Sequence, residues 1–261
     1  MNYSGKIVVI TGASSGIGKE AALEFAKLHA SVVLVSRDKD KLEQVAKELS
    51  KYQIEVLVCV CDVSQKDQVN QMSEQVLEKF GTIDILVNNA GFGIYGMFDD
   101  LKAEEIESQM GTNYLGMVYC TKTFLPKMLD QKSGHIVNVA SVAASFGIPG
   151  MAGYCASKFA MLGFSESIYH ELKGSGVGIT VVSPIMVKTS FFNHNSFNKM
   201  PRYTTALSAN TVAKAVVRAS TSPRLEIVVP QFVRIAIWFK QTFPYMINPI
   251  VGIIFRRSKI N

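Results

Sequence analysis

The chain has 261 residues, 48% of them hydrophobic and 18% charged, with a net charge of +6. A chain of that length and apolar content can bury a large core as one domain and needs no second one; it holds no internal repeat or low-complexity tract. Its four cysteines lack the paired spacing of a zinc site and its four histidines are scattered, which excludes a metal centre built on either; the thiols instead suit a buried, reduced state.

In chain order, Lys6 to Ile10 is a short β-rich run, Thr11-Gly12-Ala13-Ser14-Ser15-Gly16-Ile17-Gly18 follows, and Lys19 to His29 reads as a helix. Glycines there permit a tight turn and close approach of backbone N–H groups, and the helix start presents unpaired donors with a positive partial charge. Gly12, Ser14, Ser15, Gly16, Ile17 and Gly18 are therefore candidates to cradle the pyrophosphate of a dinucleotide, the alternative being a plain Gly/Ser turn. The glycine spacing differs from the commoner G-x-G-x-x-G pattern.

The second strand, Ser31 to Val35, ends at Ser36-Arg37. An acid at that point would bind a ribose 2′-hydroxyl, as in NAD, whereas an arginine suits the 2′-phosphate of NADP. Arg37 thus favours NADP, with NAD left open if Arg37 pairs with Asp38 or stacks on adenine. A third strand, Val56 to Val60, leads to Cys61-Asp62-Val63, and Cys59 and Cys61 alternate with Val60, so both thiols face one side. Further strands are expected at Ile85 to Asn88, His135 to Val139, Ile179 to Val182 and Glu226 to Val229. Their alternation with helical stretches predicts an α/β fold with a central parallel sheet of about seven strands.

Ser141 closes the run His135 to Ala140, and Tyr154 and Lys158 follow four residues apart, on one face of a helix. A phenol ionises near pH 10, too high for ready exchange at neutrality, but a cation beside it lowers that value. Lys158 is expected to tune Tyr154, and the Ser141 hydroxyl to hold the substrate oxygen that Tyr154 protonates. Tyr-x-x-x-Lys by itself is common in helices and carries no chemistry without such surroundings. Cys155, next to Tyr154, is either a reactive thiol or a small packing residue.

Together, Thr11-Gly12-x-x-x-Gly16-x-Gly18, Asn88-Asn89-Ala90-Gly91, Asn113, Ser141 and Tyr154-x-x-x-Lys158 resemble the signatures of the short-chain dehydrogenase/reductase family, in the family's order, from about Gly5 to Thr189. The resemblance implies a Rossmann-type doubly wound fold, no metal, and a homo-oligomer. It implies Tyr154 as general acid/base, Lys158 on the nicotinamide ribose, Ser141 on the substrate oxygen, and Asn113 in a water-linked proton relay. Asp62 and Val63 would touch adenine, with Asp62 accepting from its amine or serving only as a helix N-cap. Asn89, Ala90 and Gly91 would line the cofactor, and Pro184, Val187 and Thr189 its nicotinamide end, although Ile185 stands where the family has glycine.

Phe191 to Ser208 reads as a lid over the substrate or as a surface connection. Phe92, Ile94, Tyr95, Met151, Met186 and Phe191, among other large apolar residues, flank the candidate site and suggest an apolar pocket. From Arg218 onward seven basic residues face one acid, a surplus equal to the whole net charge, amid many aromatic residues. This basic, apolar C-terminal extension, residues 231–261, suits peripheral contact with a membrane, the alternatives being sheet-edge packing or a subunit contact. It is too short to span: Gln241 to Phe255 gives 15 uncharged residues, where about 20 are needed. With no secretory leader before Lys6, the catalytic body is expected in the cytoplasm, and nucleic acid is not an expected partner. These residues predict an NADP(H)-dependent oxidoreductase that interconverts a carbonyl and a secondary alcohol on a lipophilic small molecule. The alternatives are a dehydrogenase of a small sugar or polyol, and a nucleotide sensor without turnover, which would not need both Tyr154 and Lys158.

Overall fold

The structure, a computed structural model, describes residues 3–200 and 206–256. Seven β-branched runs pair as one parallel sheet: β1 (Ile7–Thr11), β2 (Ser31–Ser36), β3 (Val56–Val60), β4 (Ile85–Asn88), β5 (Gly134–Val139), β6 (Val177–Pro184) and, after two short strands, β9 (Glu226–Val229). The spatial order is β3-β2-β1-β4-β5-β6-β9. The short strands β7 (Val187–Lys188) and β8 (Leu207–Ser208) pair with each other apart from this sheet.

Successive side chains of a strand point to opposite faces, and here both faces are covered. Val8, Ile10, Val32 and Leu34 pack with Phe25 of α1 (Gly16–Lys27), Leu42 of α2 (Lys39–Leu49) and Val216 of α7 (Ala209–Ala219). Ile7, Val9, Val33 and Leu86 point the other way, onto Met72 of α3 (Lys66–Phe80) and Phe124 of α5 (Gly116–Asp130). Phe25 and Phe124 are fully buried, each stabilising the fold by about 1.5–3 kcal/mol. Double-sided burial is why these strands read as continuous apolar runs.

The strand order reverses between β1 and β4, which opens a crevice at the carboxyl ends of those strands, where ligands bind in sheets of this kind. A second device shapes that crevice. Between α4 (Ala103–Met110) and α5 the helix widens into a π turn, Gly111–Leu115, in which the Gly116 N–H reaches back to the Gly111 carbonyl. This bulge turns Asn113 fully inward. A buried polar network behind it ties β4 and β5 to α5 and to α6 (Ala152–Glu171): Asn88 donates to Thr121 (3.1 Å) and Asn138 (2.9 Å), and Asn138 to Ser165 (2.8 Å).

Candidate active site

The glycine turn is shaped by backbone packing. The Thr11 hydroxyl accepts from the Asn89 and Ala90 N–H groups, both at 3.0 Å, and so clamps the end of β4 to the end of β1. A Cβ on Gly18 would lie 2.3 Å from the Gly12 carbonyl oxygen and 2.6 Å from Asn89 Nδ2. Gly18 therefore lets α1 start against the turn from behind instead of lining the crevice. Gly12 has φ of +66°, and a Cβ there would lie 2.9 Å from Ala90 Cα. Gly18→Ala is expected to cost about 1–3 kcal/mol of stability by overpacking, read as a lower urea midpoint. Gly163→Ala, with nothing within 4 Å of the added carbon, should leave the midpoint unchanged or raise it.

A cavity of about 670 Å³ runs from this turn across the carboxyl ends of the strands, lined by Gly12, Ser14, Ser15, Gly16, Ile17, Arg37, Asp62, Val63, Asn89, Ala90, Gly91, Tyr154, Lys158 and Thr189. Ser15 caps α1 with extended backbone and no side-chain cap bond, leaving first-turn N–H groups for an anion. At the far end, Arg37 lies 70% exposed and 3.7 Å from the Asp62 carboxylate. Asp38 instead accepts from the Lys41 amide at 3.1 Å and pairs with the Lys41 ammonium at 2.7 Å, while Arg37 pairs with Asp62. Asp62 is not a helix N-cap: α3 is capped by Gln65, and Asp62 Oδ1 holds the amide and hydroxyl of Ser64.

Tyr154 and Lys158 share one face in the first turns of α6. Lys158 is buried, with its ammonium 5.6 Å from the Tyr154 ring centre. It donates to the Val139 carbonyl at 3.0 Å and meets Met161 Sδ at 3.4 Å, and among the described residues no carboxylate pairs with it. Burial without a counter-charge pushes its pKa down to about 7. The Tyr154 phenol moves up, because loss of solvation outweighs the opposing hydrogen bond from Ser141. A tyrosine tuned toward neutrality by Lys158 is therefore not what the protein groups alone produce; burial disfavours both charged forms. Ser141 caps the short helical turn Val142–Ala144, accepting from the Ala143 amide at 3.1 Å.

Asn113 is engaged on every side-chain atom. Its Oδ1 accepts from the Phe92 amide, and its Nδ2 donates to the Phe92 carbonyl and to Ser157 Oγ, each at 2.9 Å. Ser157 in turn donates to the Tyr154 carbonyl at 2.7 Å. Asn113 thus fastens the loop Gly91–Gly93 to the helix that carries Tyr154.

Over Tyr154 lies an aromatic roof. Phe191 meets the Tyr154 ring edge-on at 5.4 Å and lies 5.0 Å from Phe192 and 5.5 Å from Phe197. Tyr95, Met151, Ile148 and Met200 complete it. Of the segment expected as a lid, Ser190–Asn193 and Asn195–Lys199 form short helical turns, Leu207–Ser208 pairs with Val187–Lys188, and residues 201–205 lie outside the described residues.

Gly18, Asn113, Ser141, Pro184 and Val187, all expected at the site, do not line the cavity. Pro184 ends β6 and its carbonyl meets the Ser141 hydroxyl at 3.4 Å, while Val187 is buried in the short ladder. Conversely, Lys41, Thr112 and Ser190 line the cavity and were not expected, while Asn193, inside the segment expected as a lid, lines it too. Lys41 was detectable as a cation one helical turn beyond Asp38; Thr112 and Ser190 depend on the π turn and on loop geometry, which carry no sequence pattern.

Cys155 is a packing residue, accepting from the Ile148 amide at 3.4 Å, and burial raises its thiol pKa. Cys59 and Cys61 both lie buried on one side, as their alternation with exposed Val60 implies, with thiols pushed up to about 11 by burial. Among the described residues there is no group of three or more His, Cys, Asp or Glu able to hold a metal, and no helix long and apolar enough to cross a membrane.

The crevice suits a dinucleotide in its anion-ready helix start and in the cationic group at its far end. The chain is similar to known proteins over most of its length. A family model described as short chain dehydrogenase matches residues 6–199. Epidermal retinol dehydrogenase 2 of Mus musculus is 33% identical over 249 residues, covering 93% of this chain and 80% of that protein. A short-chain dehydrogenase/reductase of Burkholderia phymatum, solved in complex with NAD, superposes with a TM-score of 0.86 at 29% identity, covering 94% of this chain and 96% of the other. An alcohol dehydrogenase of Thermococcus sibiricus, complexed with 5-hydroxy-NADP, gives 0.77 at 29% identity, covering 85% and 95%. Glycine turn, Asn-Asn-Ala-Gly loop, Tyr154 and Lys158 meet around one crevice of a seven-stranded parallel sheet, and with these likenesses they establish that the chain belongs to the short-chain dehydrogenase/reductase family and is an NAD(P)-dependent oxidoreductase of alcohol and carbonyl groups.

Proposed function

We propose that the protein interconverts a carbonyl and a secondary alcohol on a lipophilic substrate, with NADP(H) as its cofactor. The observation that carries the chemistry is the Tyr154 phenol at the cavity wall, with the Lys158 ammonium 5.6 Å from its ring. Bound nicotinamide supplies or accepts the hydride. Tyr154 passes the proton to the substrate oxygen, and the Ser141 hydroxyl donates to that oxygen and fixes its place. Lys158 would hold the ribose, whose hydroxyls would add acceptors to the Val139 carbonyl that its ammonium already meets. Asn113 acts as a positioning residue through its bonds to Phe92 and Ser157.

The lipophilic substrate is supported by the roof of Phe191, Phe192 and Phe197 with Tyr95 and Met151, which we take as a closing lid that excludes water. A retinol dehydrogenase among the relatives points the same way. A polyol would leave several hydroxyls without partners against such a wall. A panel of long-chain and cyclic ketones and of sugars, followed by NADPH absorbance, tests the choice. Faster turnover of the sugars would overturn it.

The cofactor preference rests on Arg37 and Lys41 at the adenine end. A charge-assisted bond from Arg37 to the 2′-phosphate contributes about 1.5–3 kcal/mol. Arg37→Ala should then weaken NADPH by about 10- to 150-fold and NADH less than twofold, measured by quenching of protein fluorescence. Equal losses for both would assign Arg37 to adenine stacking. The proposal extends to a cytoplasmic homo-oligomer with peripheral membrane contact through the C-terminal segment, consistent with its unpaired, buried cysteines.

A further inference from the structure

The stretch that follows the edge strand β9, residues 231–250, is apolar yet buries almost nothing. In α8 (Val233–Thr242) only Ile237 is buried. Phe232, Ile235 and Phe239 recur at spacings of three and four residues and are 72%, 62% and 44% exposed. Trp238 lies 4.9 Å from Phe239, and the stripe passes through Phe243 into α9 (Pro244–Arg256), where Tyr245, Met246 and Ile250 also face outward. An apolar stripe this long and open marks an interaction surface.

Charge identifies the occupant. Arg234 and Lys240 stand on α8 and Arg224 lines the cleft beside it, and among the described residues none of the three makes a salt bridge. The one acid from Arg218 onward, Glu226, is engaged by the Ser183 hydroxyl at 2.7 Å. Between β9 and α8 a cleft of about 430 Å³ opens, lined by Arg224, Arg234, Gln231, Ile235, Trp238 and Glu226 among others. A second copy docked by two-fold symmetry would set this cationic face against itself. An anionic bilayer meets both halves of the pattern, taking the apolar stripe into its interfacial region and the cations at its phosphates.

We propose that the α8–α9 face docks on anionic lipid, with Trp238 and its apolar neighbours inserted shallowly and a lipid phosphate received in the cleft between Arg224 and Arg234. The inference rests on the peripheral contact proposed above. Its test is separable from the chemistry, because turnover of a soluble ketone is read independently. The test is sedimentation of the full chain with phosphatidylcholine vesicles, with and without phosphatidylglycerol, at low and high salt, together with Trp238 fluorescence.

Binding should require phosphatidylglycerol, weaken with salt and shift Trp238 to the blue. Each cation near the surface contributes about fivefold, so Arg224→Gln with Arg234→Gln should weaken binding about 25-fold or more. Arg218→Gln with Lys240→Gln removes the same charge outside the cleft and should cost less. Phe232→Gln with Ile235→Gln should abolish the fluorescence shift, and every variant should keep wild-type turnover of the soluble ketone. Equal losses from the two charge pairs would overturn the cleft. Vesicles ignored at low salt would overturn the surface, as would self-association that disappears in the Phe232/Ile235 variant, or inorganic phosphate alone reproducing the vesicle response.

Discussion

Tyr154→Phe is expected to lower kcat/KM by about 10²–10⁴-fold, the usual contribution of a positioned proton donor, while cofactor affinity stays near wild type. The substitution deletes one oxygen and keeps the ring that packs against Phe191 at 5.4 Å, so the roof and the crevice should persist. A pH profile adds a second readout. Reduction needs the protonated phenol and oxidation the phenolate, so the reductive rate should fall, and the oxidative rate rise, as pH passes through the Tyr154 pKa. Burial holds that phenol above its ordinary value, with Ser141 acting against it, so oxidation should be favoured on the alkaline side. Ser141→Ala removes the opposing hydrogen bond and should move the oxidative limb further toward alkaline pH. Near-normal turnover in Tyr154→Phe, or a pH profile unmoved by it, would assign the proton to another group.

The seven sheet strands were legible because a parallel sheet covered on both faces demands unbroken β-branched runs, and the chain has seven. The glycine turn was legible for a related reason: Gly12 and Gly18 stand where backbone meets backbone, and a Cβ at either would crowd its neighbours. What stayed hidden depends on contacts distant in sequence. The π turn at Gly111–Leu115 has no composition of its own, so Asn113 was found by family pattern while its bonds to Phe92 and Ser157 were not. The two-residue strands β7 and β8 are too short for any periodic signal, so the burial of Val187 in that ladder was not legible. Spacing also gave the proximity of Tyr154 and Lys158 correctly but not their burial, and burial decides the sign of both pKa shifts.

Lys158 offers the sharpest test of that last point, because its role in function and its effect on stability have opposite signs. In the cofactor-free protein its pKa is about 7 against an ordinary 10.5, so between these values the unfolded chain binds a proton that the folded chain does not. Stability should therefore rise with pH across that window and be lowest below about pH 7, where the folded state must hold a buried, uncompensated cation. Lys158→Met removes the charge and keeps much of the volume. It should stabilise the cofactor-free protein at pH 6, on the order of a few kcal/mol, and the advantage should fade as pH approaches 10.5. Urea midpoints of both proteins at several pH values measure this, and a difference constant with pH would show that Lys158 is not shifted. The same variant should lose cofactor affinity by about tenfold or more, since the donor proposed to hold the ribose is gone, and turnover should fall at least as far. A residue that costs stability when the site is empty and gives affinity when it is filled is held there by function, since packing alone would favour methionine.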